Sequence, residues 1–469
     1  MESIELIRSH LSQTLMPYWT PTYIWYGVIT FSWLVFLWNT YLAIRQFRLY
    51  LSTKEVPSEL NTILDQETLE KARAYNIDRA RFSFISGTFD EIQGTLVLIF
   101  LLPLLWSKSG ELRDRLHLQS SSDSVVLNEI TQSLIFTLIS TLLSALVGLP
   151  FSLYSTFVIE ERHGFNKQTL GFYAKDKVKK LLVSFAITSP IIAAIIAIVR
   201  LGGPYFFFYL WVFVTFVTLV LMAFHAEIAA LFDKFTPLPE GELRNKIKTL
   251  ASSIKFPLTQ IYVVKGSARS AHSNAYFFGF FNRKRIVLYD TLIKGYKDET
   301  EEPNSDKTSK SSEESGSGCD HDEILAVLGH ELGHWYLNHV VKNIAFSEVN
   351  LLLIFLLFSQ LYQNVALFAA FGFHSERPVI IGLMLVMMYI FAPYNEIIGF
   401  VTVSLSRRYE FQADNFAKGL GKATELKSAL IKLNKDNLGF PVYDKLYSMF
   451  NHSHPPLLER IRALSIKEE

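Results

Sequence analysis

Seven stretches of this chain are apolar over lengths that suit a bilayer, and that repetition limits the possible folds more than any other feature. They run at about residues 23–44, 92–106, 133–158, 181–199, 205–224, 344–361 and 379–405, the second and sixth carrying the weakest signal. A membrane-crossing helix takes roughly 20 mostly apolar residues. The first stretch is too long for a signal-peptide core and lacks a small-residue cleavage pattern, so it reads as a retained span. Half of the residues are hydrophobic and only 19% are charged, which agrees with a membrane protein rather than two or three soluble domains.

The sequence is therefore expected to form an all-α multi-pass membrane protein. Lys and Arg in the connections set its orientation. The loop after the first span carries Arg45, Arg48, Lys54, Lys71, Arg73, Arg79 and Arg81, and the loop after the third carries Arg162, Lys167, Lys175, Lys177, Lys179 and Lys180. The alternate connections are poor in both residues. Alternation places the N-terminus on the luminal side, with residues 225–343 and 406–469 in the cytosol and residues 1–224 and 344–405 carrying spans one to five and six to seven. A net charge of +1 gives no basic footprint for nucleic acid. Cys319 is the only cysteine, which excludes an intrachain disulfide and a cysteine-based zinc knuckle.

In the first cytosolic part, "EGELRNKIKTLASSIKF" has helical spacing and "LTQIYVVKG" reads as a strand. "HSNAYFFGF" and "RKRIVLYDTLI" read as a hairpin joined at Phe281-Asn282-Arg283. Residues 294–320 are polar and low in complexity, which predicts a disordered insert. Next comes "VLGHELGHWYLNH", with Asp320 or Asp322 available to cap its helix.

In that stretch His330 and His334 stand four apart on one helical face with Glu331 beside them, the arrangement that binds zinc and activates its water. The competing account is a polar face whose histidines hydrogen-bond elsewhere. A catalytic zinc site takes a third protein ligand. A metzincin continuation would need Gly and His where Leu337 and Val340 stand. His339 lies about 140° around a continuous helix from His334 and reads as a surface bystander. Beyond the last span, "SRRYEFQAD" sets Glu410 and Asp414 four apart. Glu410 would ligate, and Asp414 would hold the outer nitrogen of a zinc histidine. An ordinary charged helix face is the alternative. Glu396 follows Pro393 inside the last span, and intramembrane acids normally face a cavity or a partner. On one helix, fourteen residues from Glu396 to Glu410 make about 1400°, so the two acids share a face within roughly 40°. Glu396 is expected to line the same aqueous space.

Together "AVLGHELGHWYLNH", "SRRYEFQAD", "HSNAYFFGF", "FDKFTPLPEG", "EERHGFN" and "NHSHPPLLER" resemble the type I CAAX prenyl endopeptidases, integral-membrane zinc metalloproteases. The resemblance implies seven helices around a water-filled chamber, capped by a zincin-like region, in the endoplasmic reticulum and inner nuclear membranes. It implies one Zn²⁺ and a prenylated CAAX protein as substrate, cleaved after the cysteine to release three residues. Some members cut a second time, in a pheromone precursor or prelamin A. The resemblance also implies that His454 supports the oxyanion, that Arg460 orients Glu410 or binds substrate carboxylate, and that Asn274 holds substrate backbone along an edge strand.

Two other readings use the same residues. One is a membrane quality-control metalloprotease acting on unprenylated or stalled proteins; the other is a non-catalytic lipid-peptide scaffold. A site-2-type intramembrane protease is disfavoured because the chain has no Asp-Gly dipeptide.

Overall fold

The computed structural model describes residues 19–60, 64–119, 124–268, 270, 272, 274–279, 283–296 and 318–465. Hydrocarbon offers no hydrogen bonds, so apolar runs must satisfy their backbone internally as helices. The described chain begins with five long ones: α1 (Pro21–Ser52), α2 (Gln66–Arg115), α3 (Val125–Glu160), α4 (Leu170–Leu201) and α5 (Gly203–Ala223). A small sheet region follows: β1 (Phe235–Pro237), α6 (Glu242–Ser253), β2 (Leu258–Val264), β3 (Ala275–Phe278) and β4 (Lys284–Tyr289). Then come α7 (His321–Tyr336), α8 (His339–Leu361), α9 (Val379–Ile390) and α10 (Ala392–Gly419). The described chain closes with α11 (Ala423–Asp436), α12 (Lys445–Asn451) and α13 (Leu457–Ser465).

Among the described residues six helices, α1 to α5 and α8, are long and apolar enough to cross a membrane; α9 and α10 make a seventh span if counted together, bent by 62°. The bend falls just before Pro393, which lies in the first turn of α10. α2 departs from the expected 92–106 span. It is one helix of 50 residues, roughly 75 Å long, because polar sequence from Gln66 onward is also helical and hydropathy does not register it. Asp65 caps its start by accepting from the Thr68 amide at 2.7 Å. A π-turn at Val97–Leu101 adjusts the helix ahead of Pro103, whose nitrogen has no hydrogen to donate.

The expected hairpin is part of a larger structure. β3 and β4 do pair antiparallel, but β2 runs parallel to β4 and β1 adds antiparallel to β2, giving the order β1-β2-β4-β3. This leaves β3 on an edge. Of the connecting residues, Phe281 and Asn282 lie outside the described residues, as do 297–317 of the expected insert. The insert's described ends are pinned together: the Cys319 amide donates to Leu292 O at 2.8 Å and the Lys294 amide to Cys319 O at 3.3 Å. Asp320 caps α7 in a reciprocal box with Glu323, and Lys432 of α11 binds both carboxylates.

The spans bury only 6–17% of their most apolar windows, so they meet along narrow seams. The largest apolar core collects at the end away from α7, where Leu98 and Trp106 of α2, Phe136 of α3, Ile196 of α4 and Phe358 of α8 pack with Val379 of α9. A polar knot ties the same end. Glu129 accepts from Arg200 Nε at 2.6 Å and from the Val379 amide at 2.7 Å, while Arg200 also donates to Arg377 O.

Breaking a buried pair from one side leaves the other charge uncompensated. Glu129→Ala should therefore lower stability by about 2–3 kcal/mol, read as an earlier thermal transition in detergent, with part regained in Glu129→Leu/Arg200→Met. An unchanged transition in Glu129→Ala would remove the knot from the account of how the spans are held.

Candidate metal centre

α7 carries the two histidines into the interior. His330 is 6% exposed, and Ile324, Leu325, Ala326, Val327 and Leu328 before it are buried. Against it lies α10, and the approach is close because the facing residues are small. A Cβ at Gly333 would lie 3.1 Å from Phe416 Cβ and 3.2 Å from Ala413 Cα, and one at Gly329 would lie 3.7 Å from Ala417 Cβ. This small-on-small contact lets Glu410, buried at 3% exposure, reach the histidines.

His330 Nε2 and His334 Nε2 stand 3.3 Å apart. Glu410 Oε2 is 3.4 Å from the first and Glu410 Oε1 is 3.3 Å from the second. Among the described residues these three offer one ligand atom each, all within 4.8 Å of one another. A tetrahedral ion bonded at about 2.0–2.1 Å needs donors roughly 3.3–3.4 Å apart, so the residues fit a metal such as zinc. The buried Glu410 Oε2 accepts no hydrogen bond, although charged groups surround it, as a ligand oxygen should.

The outer nitrogens are held too. His330 Nδ1 lies 2.9 Å from Asp414 Oδ1, so Nδ1 holds its proton there and Nε2 is the nitrogen that would release its proton and offer a lone pair to metal. Asp414 is fixed in turn by a bidentate Arg460, with Nε to Oδ2 at 2.8 Å and Nη2 to Oδ1 at 2.6 Å. Arg460 is 8% exposed, and Nη1 sits 3.7 Å from Glu410 Oε2. Arg460 thus meets Asp414 through Nε and Nη2 and turns Nη1 toward Glu410, the carboxylate it is expected to orient.

His339 requires a correction. Expected as a surface bystander, it is 1% exposed and stacks on Tyr409 at 4.2 Å. The angular argument assumed an unbroken helix. Instead α7 stops at Tyr336, Asn338 adopts left-handed φ of 57°, and α8 starts at His339, turning that ring back toward the site. His339 Nε2 lies 2.9 Å from Gln412 Oε1, and His339 Nδ1 lies 3.0 Å from His334 Nδ1. With Gln412 Oε1 accepting from Nε2–H, His339 Nδ1 accepts from His334 Nδ1–H and frees His334 Nε2 for metal. The signal in the sequence was Asn338, a residue type that enters αL more readily than most.

His454 Nε2 is 3.3 Å from Glu410 Oε1, and its Nδ1 is 3.1 Å from Ser453 Oγ. Its side chain is 68% exposed, which puts it at the mouth of the cluster. Glu331 is half-buried between these groups, and burial pushes its carboxyl above the ordinary glutamate range. Asn274 is exposed at the start of edge strand β3; its Oδ1 accepts from the Ala275 amide at 2.8 Å. Glu396 is exposed on α10, and the helix continues unbroken to Glu410.

Burial alone would lower His330, but the Asp414 and Glu410 carboxylates at its two nitrogens outweigh that and raise it from 6.5 to about 9. The charged ring stabilises the metal-free fold fully below about pH 6.5, and that contribution is lost as pH rises through about 9. Metal capture must displace the same proton, so affinity should climb with pH toward about 9 and proton release should accompany binding, measurable by titration calorimetry in buffers of different ionisation enthalpy. Flat affinity across that range would contradict it. His339→Phe keeps a ring against Tyr409 but loses both nitrogens; metal retention against a chelator should fall about 10–100-fold. Retention equal to wild type would reduce His339 to packing.

Comparison with known proteins follows the two halves of the structure. Residues 46–234 match the family described as CAAX prenyl protease N-terminal, five membrane helices, and residues 237–468 match Peptidase family M48. The CAAX prenyl protease 1 homolog of Homo sapiens is 53% identical over 459 residues, covering 94% of this chain and 95% of that protein. CAAX prenyl protease 1 of Saccharomyces cerevisiae is 37% identical, covering 96% and 97%. The crystal structure of S. mikatae Ste24p superposes with a TM-score of 0.83 at 36% identity, covering 94% of this chain and 99% of that one.

Proposed function

The chain belongs to the CAAX prenyl protease 1 family, and we propose from that premise how its own residues perform the cleavage. It is a multi-pass membrane metalloprotease of CAAX processing. The observation that carries the residue assignment is the convergence of one ligand atom each from His330, His334 and Glu410 within 4.8 Å of one another, with a Glu410 oxygen close to each histidine Nε2. The assigned metal is Zn²⁺, the usual partner of a two-histidine, one-carboxylate set with an open position. When bound, it supplies Lewis-acid polarisation of the scissile carbonyl and a more acidic water.

Everything else is done by the protein. β3 offers an edge that is unpaired among the described residues, and the substrate backbone adds to it as a strand, with Asn274 at its start. Glu331, its carboxyl raised by burial, takes the proton of the attacking water and returns it to the leaving amine. His454, exposed beside Glu410, donates to the developing oxyanion. Asp414 with Arg460, and His339 with Gln412, hold the two ligand rings in register.

The substrate is a prenylated CAAX protein, from which the last three residues are removed. Spans that touch along narrow seams but are tied at the far end by the apolar core support a water-filled chamber below the site, with Glu396 on its wall. Charge alternation favours residues 225–343 and 406–469 in the cytosol or nucleoplasm, as parts that act on a membrane region of 1–224 and 344–405. The membrane is assigned to the endoplasmic reticulum and its inner nuclear continuation.

The purified protein should cleave a farnesylated CAAX peptide in preference to the same peptide without its lipid. Glu331→Gln should lose about 10²–10⁴-fold in rate while retaining metal. Equal cleavage of both peptides would count against prenyl selectivity, and an active Glu331→Gln protein would count against the assigned base.

A further inference from the structure

Behind the metal centre, on the outer side of α10, lies a second cavity of about 850 Å³. Three cationic side chains reach it: Lys342 from the first turn of α8, and Arg408 and Lys418 from α10. Among the described residues Asp414 is the one acid on its wall, and that carboxylate is already matched by Arg460. Arg408 is exposed and has no hydrogen-bond or ion-pair partner among the described residues. The Lys342 ammonium lies over the Tyr409 ring, 6.0 Å from its centroid. The amides of Gln412 and Asn415 add neutral donors, and Phe411 and Phe416 supply apolar walls.

The depth of the cavity narrows its ligand. From Lys342 to Leu361, α8 rises roughly 28 Å, close to the thickness of a hydrocarbon core, so Lys342 stands at headgroup level. Beside it the turn between α7 and α8 exposes Tyr336 at 56%, Val340 at 42% and Val341 at 61%. A basic pocket flanked by exposed apolar residues at that level matches both ends of one molecule, an anionic head and its acyl chains. A soluble anion would use only the first.

We propose that this cavity binds the phosphate-bearing headgroup of an anionic membrane phospholipid. Lys342 and Arg408 hold the phosphate, Arg408 through its planar fork. Gln412 lines the cavity and also holds His339, which contacts the His334 ring. The occupant thus sits behind a metal-ligating side chain without touching the substrate side.

The test uses the full-length protein in mixed micelles of uncharged detergent with phosphatidylserine and phosphatidylcholine, counting retained lipid by native mass spectrometry. Wild type should retain phosphatidylserine in preference, and Lys342→Ala/Arg408→Ala should reduce that preference roughly tenfold or more. Lys175→Ala/Lys177→Ala, which removes two charges from the start of α4, should leave it intact. If the double variant unfolds, Arg408→Gln reads the same preference. The proposal is overturned if wild type shows no preference, if a folded Lys342→Ala/Arg408→Ala or Arg408→Gln protein keeps it, or if the α4 pair loses it equally. Inorganic phosphate binding without lipid, with the same dependence on Lys342 and Arg408, would instead assign the cavity to a soluble anion.

Discussion

The whole site rests on how closely two helices approach. Gly329 and Gly333 of α7 lie against Ala417 and Ala413 of α10, and at Gly333 even one added carbon would crowd Phe416 and Ala413 on the helix that carries Glu410. The contact also fixes register along α10. Glu410 faces the inner nitrogens, and one turn on, Asp414 meets the outer nitrogen of His330. The same helix positions Gln412 and Tyr409 against His339. One packed seam therefore organises Glu410 and the groups behind both rings, which is how segments 76 positions apart come to share one site.

The membrane part solves a different problem. Substrate that carries a lipid must reach polar chemistry without the spans collapsing onto each other. The far ends are fastened by the Phe358 and Val379 core and by the Glu129–Arg200 knot. At the near end, Arg45 of α1 binds Asp444 just before α12 at 2.8 Å, and Phe440 packs between Tyr50 and Leu69. Fastening at both ends with sparse contact between them is the arrangement that keeps space inside.

What the sequence made legible follows from the range over which each signal acts. Two histidines, or Glu410 and Asp414, are four residues apart, so helical period alone places each pair on one face. The spans were legible from hydropathy, but the first half of α2 was not, since a polar helix leaves no mark on that scale. β1, at three residues, is too short to show alternation. Asn274 and His454 drew on motif resemblance, because nothing in local spacing ties a strand edge or a helix-start histidine to a metal. His339 was misread because the period was extended through a break: one αL residue, Asn338, moved the ring from the expected outer face into the interior.

The two histidines end up supported by unlike partners, and the difference has an electrostatic consequence. Behind His330 stands a carboxylate, but Arg460 matches its charge. Behind His334 stands a neutral imidazole held by a neutral amide. Among the three ligating side chains only Glu410 is anionic, so a divalent ion bound by them would keep about one net positive charge from that set. A second unpaired carboxylate in place of His339 would tighten metal binding while cancelling that charge. The neutral relay fixes the ring as firmly in direction, and it preserves the field that polarises a carbonyl and lowers the pKa of water.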